Sequence, residues 1–109
     1  MKLVIAVVQD QDGGQLNEAL IQANLRVTKL ASTGGFLKQG NTTFMIGANE
    51  DQVEQVLMII KENCKSRTEF ITPMTSIESH IESYTPQPIE IQVGGATVFI
   101  VPIEQYHKF

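Results

Sequence analysis

Residues 24–47, NLRVTKLASTGGFLKQGNTTFMIG, hold two strand-like stretches on either side of a glycine-rich segment. In 24–32 apolar and polar residues largely alternate, which is typical of a β-strand with two different faces. Glycines then punctuate 33–40, and a β-branched and aromatic run resumes at 42–47. The segment therefore predicts a β-hairpin with a long glycine-rich tip.

The sequence before and after this hairpin predicts one helix on each side. The apolar run 3–8 indicates a buried strand, and helical spacing of apolar residues follows over 13–23, with Asp12 as the expected N-cap. After the hairpin, Asn49 is placed to cap a second helix whose apolar stripe ends at Cys64. The order to this point is β-α-β-β-α.

The C-terminal part predicts a long loop and a second hairpin. Residues 66–88 are rich in Ser, Thr, Glu and Pro, and the segment is longer than most loops of compact domains. A strand at 89–93, a Gly-Gly turn at 94–95 and a last strand at 96–103 follow. The whole chain, 1–109, is thus expected to be one α+β domain.

This domain is expected to be a ferredoxin-like βαββαβ sandwich with an extra C-terminal hairpin strand and a long loop after helix two. Right-handed crossovers place both helices on one face of the sheet. Phe44, Phe99 and the β-branched residues exceed what one helical layer can hide. We expect the other face to pack against copies of the same chain.

Composition narrows the class of function. The 109 residues carry 12 Asp plus Glu against 8 Lys plus Arg, a formal charge of −4, whereas nucleic-acid and membrane-surface binders use a basic field. The apolar runs are shorter than the ~20 residues of a bilayer span. The single Cys64 forms no internal disulfide, and no leader-like segment precedes the first strand. A cytoplasmic protein is expected.

Residues suited to catalysis do not form a recognisable set. His80 and His107 lack metal-ligand spacing with each other or with Cys64. Cys64 closes the apolar stripe of a helix, which favours a buried structural thiol over a nucleophile. Glu50 and Asp51 stand where a helix start favours acids. We therefore expect neither an enzyme nor a resident metal or cofactor.

Phosphate-binding features are concentrated in the first hairpin. Arg26 and Thr28 share one face of a strand, so a guanidinium and a hydroxyl could hold the same phosphate. The glycines of the tip leave backbone N–H groups open to an anion.

Base-binding features lie beside them. Phe36 and Leu37 offer an apolar platform for a base, and the amides of Asn24 and Asn41 could read an adenine edge. The alternative from the residues alone is an ordinary hairpin whose Phe36 folds back onto the core.

The same residues carry a resemblance to a known family. MKLVIAVVQDQD at 1–12, the hairpin block 24–47, GANEDQV at 47–53 and GGATVFIVPIEQYHKF at 94–109 resemble the PII-like cyclic-di-AMP receptor proteins of bacteria, the family called PstA or DarA. The resemblance covers the whole chain. It implies a homotrimer with a PII-type ferredoxin-like core, a reduced loop between strands two and three and an enlarged loop after helix two.

The resemblance also implies a ligand site between subunits. Its members would be Asn24, Arg26, Thr28, Gly35, Phe36, Leu37, Asn41 and Gly47. The family's C-terminal tail contributes to the site as well, and the penultimate Lys108 of this chain would suit a phosphate.

The leading hypothesis is a cytoplasmic signal receptor that binds cyclic-di-AMP and changes the order of one or both loops to alter a downstream protein interaction. One alternative is a classical PII-type sensor of ATP or another mononucleotide. Others are a small ferredoxin-like enzyme using His107 or Glu104, and a structural oligomer whose loops bind only protein.

Overall fold

The computed structural model describes residues 1–31, 40–71 and 88–109. In these ranges the chain forms strands and helices in the order β1 Lys2–Gln9, α1 Asp10–Gln22, β2 Arg26–Ala31, β3 Asn41–Ala48, α2 Val53–Cys64, β4 Arg67–Ile71, β5 Ile89–Val93 and β6 Ala96–Pro102. A 3-10 turn, Glu50–Gln52, leads into α2. The predicted βαββαβ order is confirmed, and the ribbon β4–β5 is inserted before its last strand.

The main sheet has the strand order β2-β3-β1-β6, with antiparallel neighbours throughout. In this register Ala6 lies opposite Phe44 on one side and Val98 on the other. Partners directly opposite one another share a face of the sheet. Alternate rows of the sheet therefore face the helices, and the remaining rows form its open face.

The hydrophobic core lies between the helices and the sheet. Its buried members from the sheet include Val4, Ala6, Val8, Phe44 and Ile46, and those from the helices are Leu16, Leu20, Val56, Ile60 and Cys64. Phe44 is fully buried in this core. The expectation that the helices leave it uncovered is therefore wrong. Phe99, by contrast, lies on the open face and is 54% exposed.

Helix α1 begins three residues before the predicted start, directly after β1. Its N-cap is Gln9, and Asp12 lies in the first turn with its side chain buried. The prediction that Asp12 caps this helix is therefore wrong. The predicted Asn49 cap is present, but it caps the 3-10 turn Glu50–Gln52, and α2 itself begins at Val53. The Gln52 side chain accepts a hydrogen bond of 2.9 Å from the backbone N–H of Asn49.

The segment 66–88 is not wholly a loop. Arg67–Ile71 forms β4, which pairs with β5 in a separate two-stranded sheet. The predicted hairpin of 89–93 with 96–103 is also wrong, since β6 pairs with β1 instead. Gly94 and Gly95 both have positive φ, and they redirect the chain from one sheet to the other. The rest of the predicted loop, 72–87, lies outside the described residues.

The ribbon is joined to the domain through the beginning of α1. Arg67 Nη2 lies 2.9 Å from Asp12 Oδ1, and the Asp12 side chain is only 5% exposed against 37% for Arg67. The Gln9 side chain accepts a hydrogen bond of 2.7 Å from the backbone N–H of Gly94. The Asp12 carboxylate, which the sequence predicted to cap α1, instead forms a buried ion pair that holds β4 against the start of this helix.

None of the helices in the described ranges is long and apolar enough to span a membrane.

Of the two glycines between β5 and β6, Gly94 is predicted to be the less tolerant of substitution. Its φ is +81°, and a Cβ there would lie 2.6 Å from both Arg67 Nη1 and the Lys65 carbonyl oxygen. Gly94→Ala should therefore destabilise the protein by more than the ~1–2 kcal/mol of a left-handed residue alone. Urea unfolding followed by circular dichroism measures the change.

Gly14→Ala is the matched control. Gly14 is an exposed helical residue whose added Cβ would meet nothing within 4 Å, so this variant should gain about 0.5–1 kcal/mol. Equal effects of the two substitutions would contradict the role given to Gly94.

Candidate functional site

Three of the predicted ligand residues meet at one end of the main sheet. Strand β2 begins at Arg26, which is opposite Gly47 in β3, and Asn24 precedes it with a left-handed φ of 61°. Together they border a cavity of about 300 Å³ whose full lining is Met1, Asn24, Leu25, Arg26, Gly47, Asn49 and Gln52.

Gly47 keeps this cavity open beside Arg26. A Cβ built on Gly47 would meet nothing within 4 Å, so any larger residue would project into free space rather than into the core. The residue opposite an arginine in a strand pair would otherwise place its side chain against the guanidinium. The glycine is thus suited to a ligand that approaches the backbone closely.

The guanidinium of Arg26 is held by a residue of the C-terminal tail that the sequence did not single out. Arg26 Nη1 donates a hydrogen bond of 2.8 Å to Tyr106 Oη. The guanidinium carbon also lies 5.8 Å from the centroid of the Tyr106 ring, within the range of a cation–π contact. The tail residue predicted to contact the ligand is Lys108. It is exposed and is not among the residues that line the cavity.

In the part of the chain that the structure describes, no carboxylate neutralises the charge of Arg26. Within residues 1–31, 40–71 and 88–109, the arginine that forms an ion pair is Arg67, with Asp12. Arg26 has no acidic partner in these ranges and is bound to Tyr106 instead. A surface arginine bound only to a neutral hydroxyl retains its full attraction for an anion. In a chain with a formal charge of −4, this is the local positive charge that an anionic ligand requires.

Thr28 follows Arg26 on the same face of β2 and is exposed. It lies opposite Met45, one row further from the cavity. The predicted pairing of guanidinium and hydroxyl on one face is therefore present in the structure.

Asn41 is at the opposite end of β3 from Gly47. The two residues are six positions apart in an extended strand, which is about 20 Å. Asn41 instead borders a second cavity, of about 400 Å³, beside Gln9 and Gly94. One copy of the chain does not bring Asn41 to the Arg26 cavity. Gly35, Phe36 and Leu37 lie outside the described residues.

Antiparallel strand pairing explains which of the predicted residues lie together at the Arg26 cavity. Residues predicted from the start of β2 and the end of β3 come together, because antiparallel pairing places these strand ends side by side. Met1, Asn49 and Gln52 were missed, since nothing in the sequence says that the first residue and the cap of α2 reach the same cavity. The capping-box pattern located Asn49 and Gln52 but gave them only a structural role.

Cys64 is buried, as expected of a structural thiol. The pKa of the Cys64 thiol is raised to about 11, chiefly by burial and also by the nearby Asp12 carboxylate, while Arg67 acts to lower it. His107 is bound to a neighbouring tail residue, with 3.0 Å between its Nε2 and Gln105 Oε1. Among the described residues no three His, Cys, Asp or Glu side chains form a group that could hold a metal ion.

The fold and the cavity together define a class: a ferredoxin-like α+β domain, extended by a β-ribbon, with an arginine-containing cleft at a sheet end. The sequence profile of the cyclic-di-AMP receptor family matches residues 1–109. The chain belongs to this family, and the resemblance seen in the sequence is confirmed.

A solved structure supports the same fold. The crystal structure of a functionally unknown protein from Pediococcus pentosaceus ATCC 25745 is 49% identical and superimposes with a TM-score of 0.77. The match covers 99% of this chain and 96% of that one. The described architecture is thus that of a close relative over nearly the whole length.

The Cys64 thiol is predicted to react slowly in the folded protein. Its pKa of about 11 against an ordinary 9.0 leaves about a hundredfold less thiolate at pH 8 than in the unfolded chain, besides the steric protection of burial. Ellman's reagent should label the native protein far more slowly than the protein in urea.

The pH dependence has a definite sign. The folded-state pKa is raised, so this thiol favours the folded state fully below pH 9, and that contribution is lost as the pH rises from about 9 to about 11. Cys64→Ala should weaken the dependence of stability on pH in that window. Equally fast labelling of folded and unfolded protein would contradict the assignment.

Proposed function

We propose that the protein is a signal receptor that binds cyclic-di-AMP through the cavity at Arg26. The observation that carries the proposal is an arginine that has no acidic partner among the described residues and that borders this cavity beside Gly47 and Asn24. Membership of the cyclic-di-AMP receptor family supports cyclic-di-AMP as this anion. No chemical step is required of the site, because the ligand acts as a signal.

Arg26 and Thr28 hold a phosphate of the ligand in this proposal. They face the same side of β2, so the guanidinium can neutralise the phosphate while the hydroxyl donates a further hydrogen bond to it. Gly47 provides the space in which the ligand backbone comes close to the strand. The penultimate Lys108, which is exposed at the tail, could contribute a second positive charge.

The adenine is recognised by amides and by the tip of the first hairpin. Asn24 lines the cavity next to Arg26, and a side-chain amide can pair with both N6 and N7 of adenine but not with the same edge of guanine. Gly35, Phe36 and Leu37 would enclose one adenine between backbone and apolar side chains.

The site is completed by a second copy of the chain. Asn41 lies about 20 Å along β3 from Gly47, so both can contact one ligand only if they come from different subunits or if the ligand spans the strand. The open face of the sheet also needs a partner, since Leu30, Phe99 and Val101 are exposed there. We propose a homotrimer in which these faces pack together.

Ligand binding is proposed to change the order of the glycine-rich tip at 33–40, of the segment 66–88, or of both. The changed segments would strengthen or weaken the interaction with a downstream protein. The receptor is proposed to act in the cytoplasm.

Isothermal titration with cyclic-di-AMP, cyclic-di-GMP and ATP tests the ligand. We expect binding of the first alone, near one ligand per subunit. Arg26→Ala should weaken binding about tenfold or more, because a hydrogen bond to a charged group is worth roughly 1.5–3 kcal/mol.

Lys29→Ala is the matched control for Arg26→Ala. Lys29 is an exposed cation of the same strand, but it belongs to the row of Phe44 on the other face of the sheet. Equal losses from the two variants would indicate a diffuse charge effect and remove Arg26 from the site. Binding of ATP with exclusion of cyclic-di-AMP would favour the mononucleotide sensor.

The oligomeric state is tested at Phe99. Phe99→Glu places a charge on the open face and should convert a trimer of 12.1 kDa chains into monomers in analytical ultracentrifugation, because a charge buried between sheets has no partner. Ile21→Glu is the control, since Ile21 is also 54% exposed but lies on α1. A monomeric wild type, or a trimeric Phe99→Glu, would overturn the proposed packing.

A further inference from the structure

We infer that Tyr106 is a ligand-binding residue that orients Arg26 and donates a hydrogen bond from its own hydroxyl to the same phosphate. The inference rests on the proposed function and adds a specific residue to its site. The sequence predicted no role for Tyr106 in ligand binding.

The direction of the hydrogen bond is what makes a second donor available. Arg26 Nη1 is the donor and Tyr106 Oη the acceptor, at 2.8 Å, because a guanidinium has no acceptor atom. The phenolic proton must therefore point to something else. Tyr106 is 53% exposed, and among the described residues its hydroxyl has no second hydrogen-bond partner. An anion that reaches Arg26 thus meets a charged donor and a neutral donor side by side.

The ring restricts where the guanidinium can lie. Arg26 has a long side chain with many rotamers, and each unproductive rotamer weakens binding. The contact between guanidinium and ring, at 5.8 Å from the centroid, together with the hydrogen bond holds it before the ligand arrives. Among the described residues the bond to Tyr106 is the one hydrogen bond of the guanidinium, so its other N–H groups are left for the phosphate.

The backbone places Tyr106 there by two connections. Strand β6 pairs with β1, and the backbone N–H of Ile103 donates a hydrogen bond of 3.1 Å to the carbonyl of Met1. Met1 itself lines the Arg26 cavity. Only two residues then separate Ile103 from Tyr106, so the tail has little freedom to carry the phenol elsewhere.

A plug that the ligand displaces is the opposite interpretation, and the charges argue against it. A neutral hydroxyl leaves the positive charge of Arg26 unsatisfied, so a phosphate can bind the guanidinium without breaking the bond to Tyr106. The two interpretations predict opposite signs. Removal of the hydroxyl weakens binding if Tyr106 donates and strengthens it if Tyr106 blocks.

Titration of Tyr106→Phe with cyclic-di-AMP decides between them. This variant keeps the ring and loses the hydroxyl, and we expect binding five- to tenfold weaker than the wild type. His107→Ala is the control in the same tail, because His107 is bound to Gln105 and not to Arg26, and it should bind as the wild type does. Thermal unfolding of each variant verifies that the fold is intact.

A double-mutant cycle separates the role of Tyr106 from a merely structural one. In the Arg26→Ala background the further loss on Tyr106→Phe should be clearly smaller than in the wild type. A loss of equal size in both backgrounds would overturn the orienting role.

Equal or tighter binding by Tyr106→Phe, with the wild type binding normally, overturns the inference and leaves the proposed function in place. A wild type that does not bind cyclic-di-AMP overturns both.

Discussion

The pairing of β1 with β3 on one side and β6 on the other is the constraint on which the rest of the structure depends. Through β3 it positions Gly47 at the end of the sheet where β2 begins. Through β6 it brings the C-terminal tail back to Met1, and so places Tyr106 beside Arg26. A shift of one residue in either register would turn every residue of the shifted strand to the opposite face of the sheet.

Two arginines in this small domain have opposite uses. Arg67 has a structural role, because its guanidinium neutralises the buried Asp12 and connects β4 to the start of α1. The same pair raises the pKa of Arg67, chiefly through the hydrogen bond to that carboxyl. Arg26 contacts a neutral phenol, and in the proposed function its charge is left for the ligand. The difference arises from the partner rather than from the residue type.

The sequence predicted the elements better than their partners. Period-two alternation located β2 and β3, and helical spacing with Asn49 and Gln52 located α2. The hairpin at 94–95 failed because a Gly-Gly pair signals a change of direction without saying which strands it joins. Strand β4 was hidden in a polar segment, since an exposed ribbon carries no buried periodicity to detect.

By itself the sequence determined the mixed α+β order, the confinement of phosphate-binding residue types to the first hairpin, and the family. These depend on local patterns and on residue identity, both of which can be read along the chain. Only the tertiary structure decided that Asp12 pairs with Arg67, that Asn41 is remote from the Arg26 cavity, and that Tyr106 holds Arg26. Each of these is a relation between segments that are distant in the sequence. It depends on which strands and helices pack together, and no local pattern encodes that.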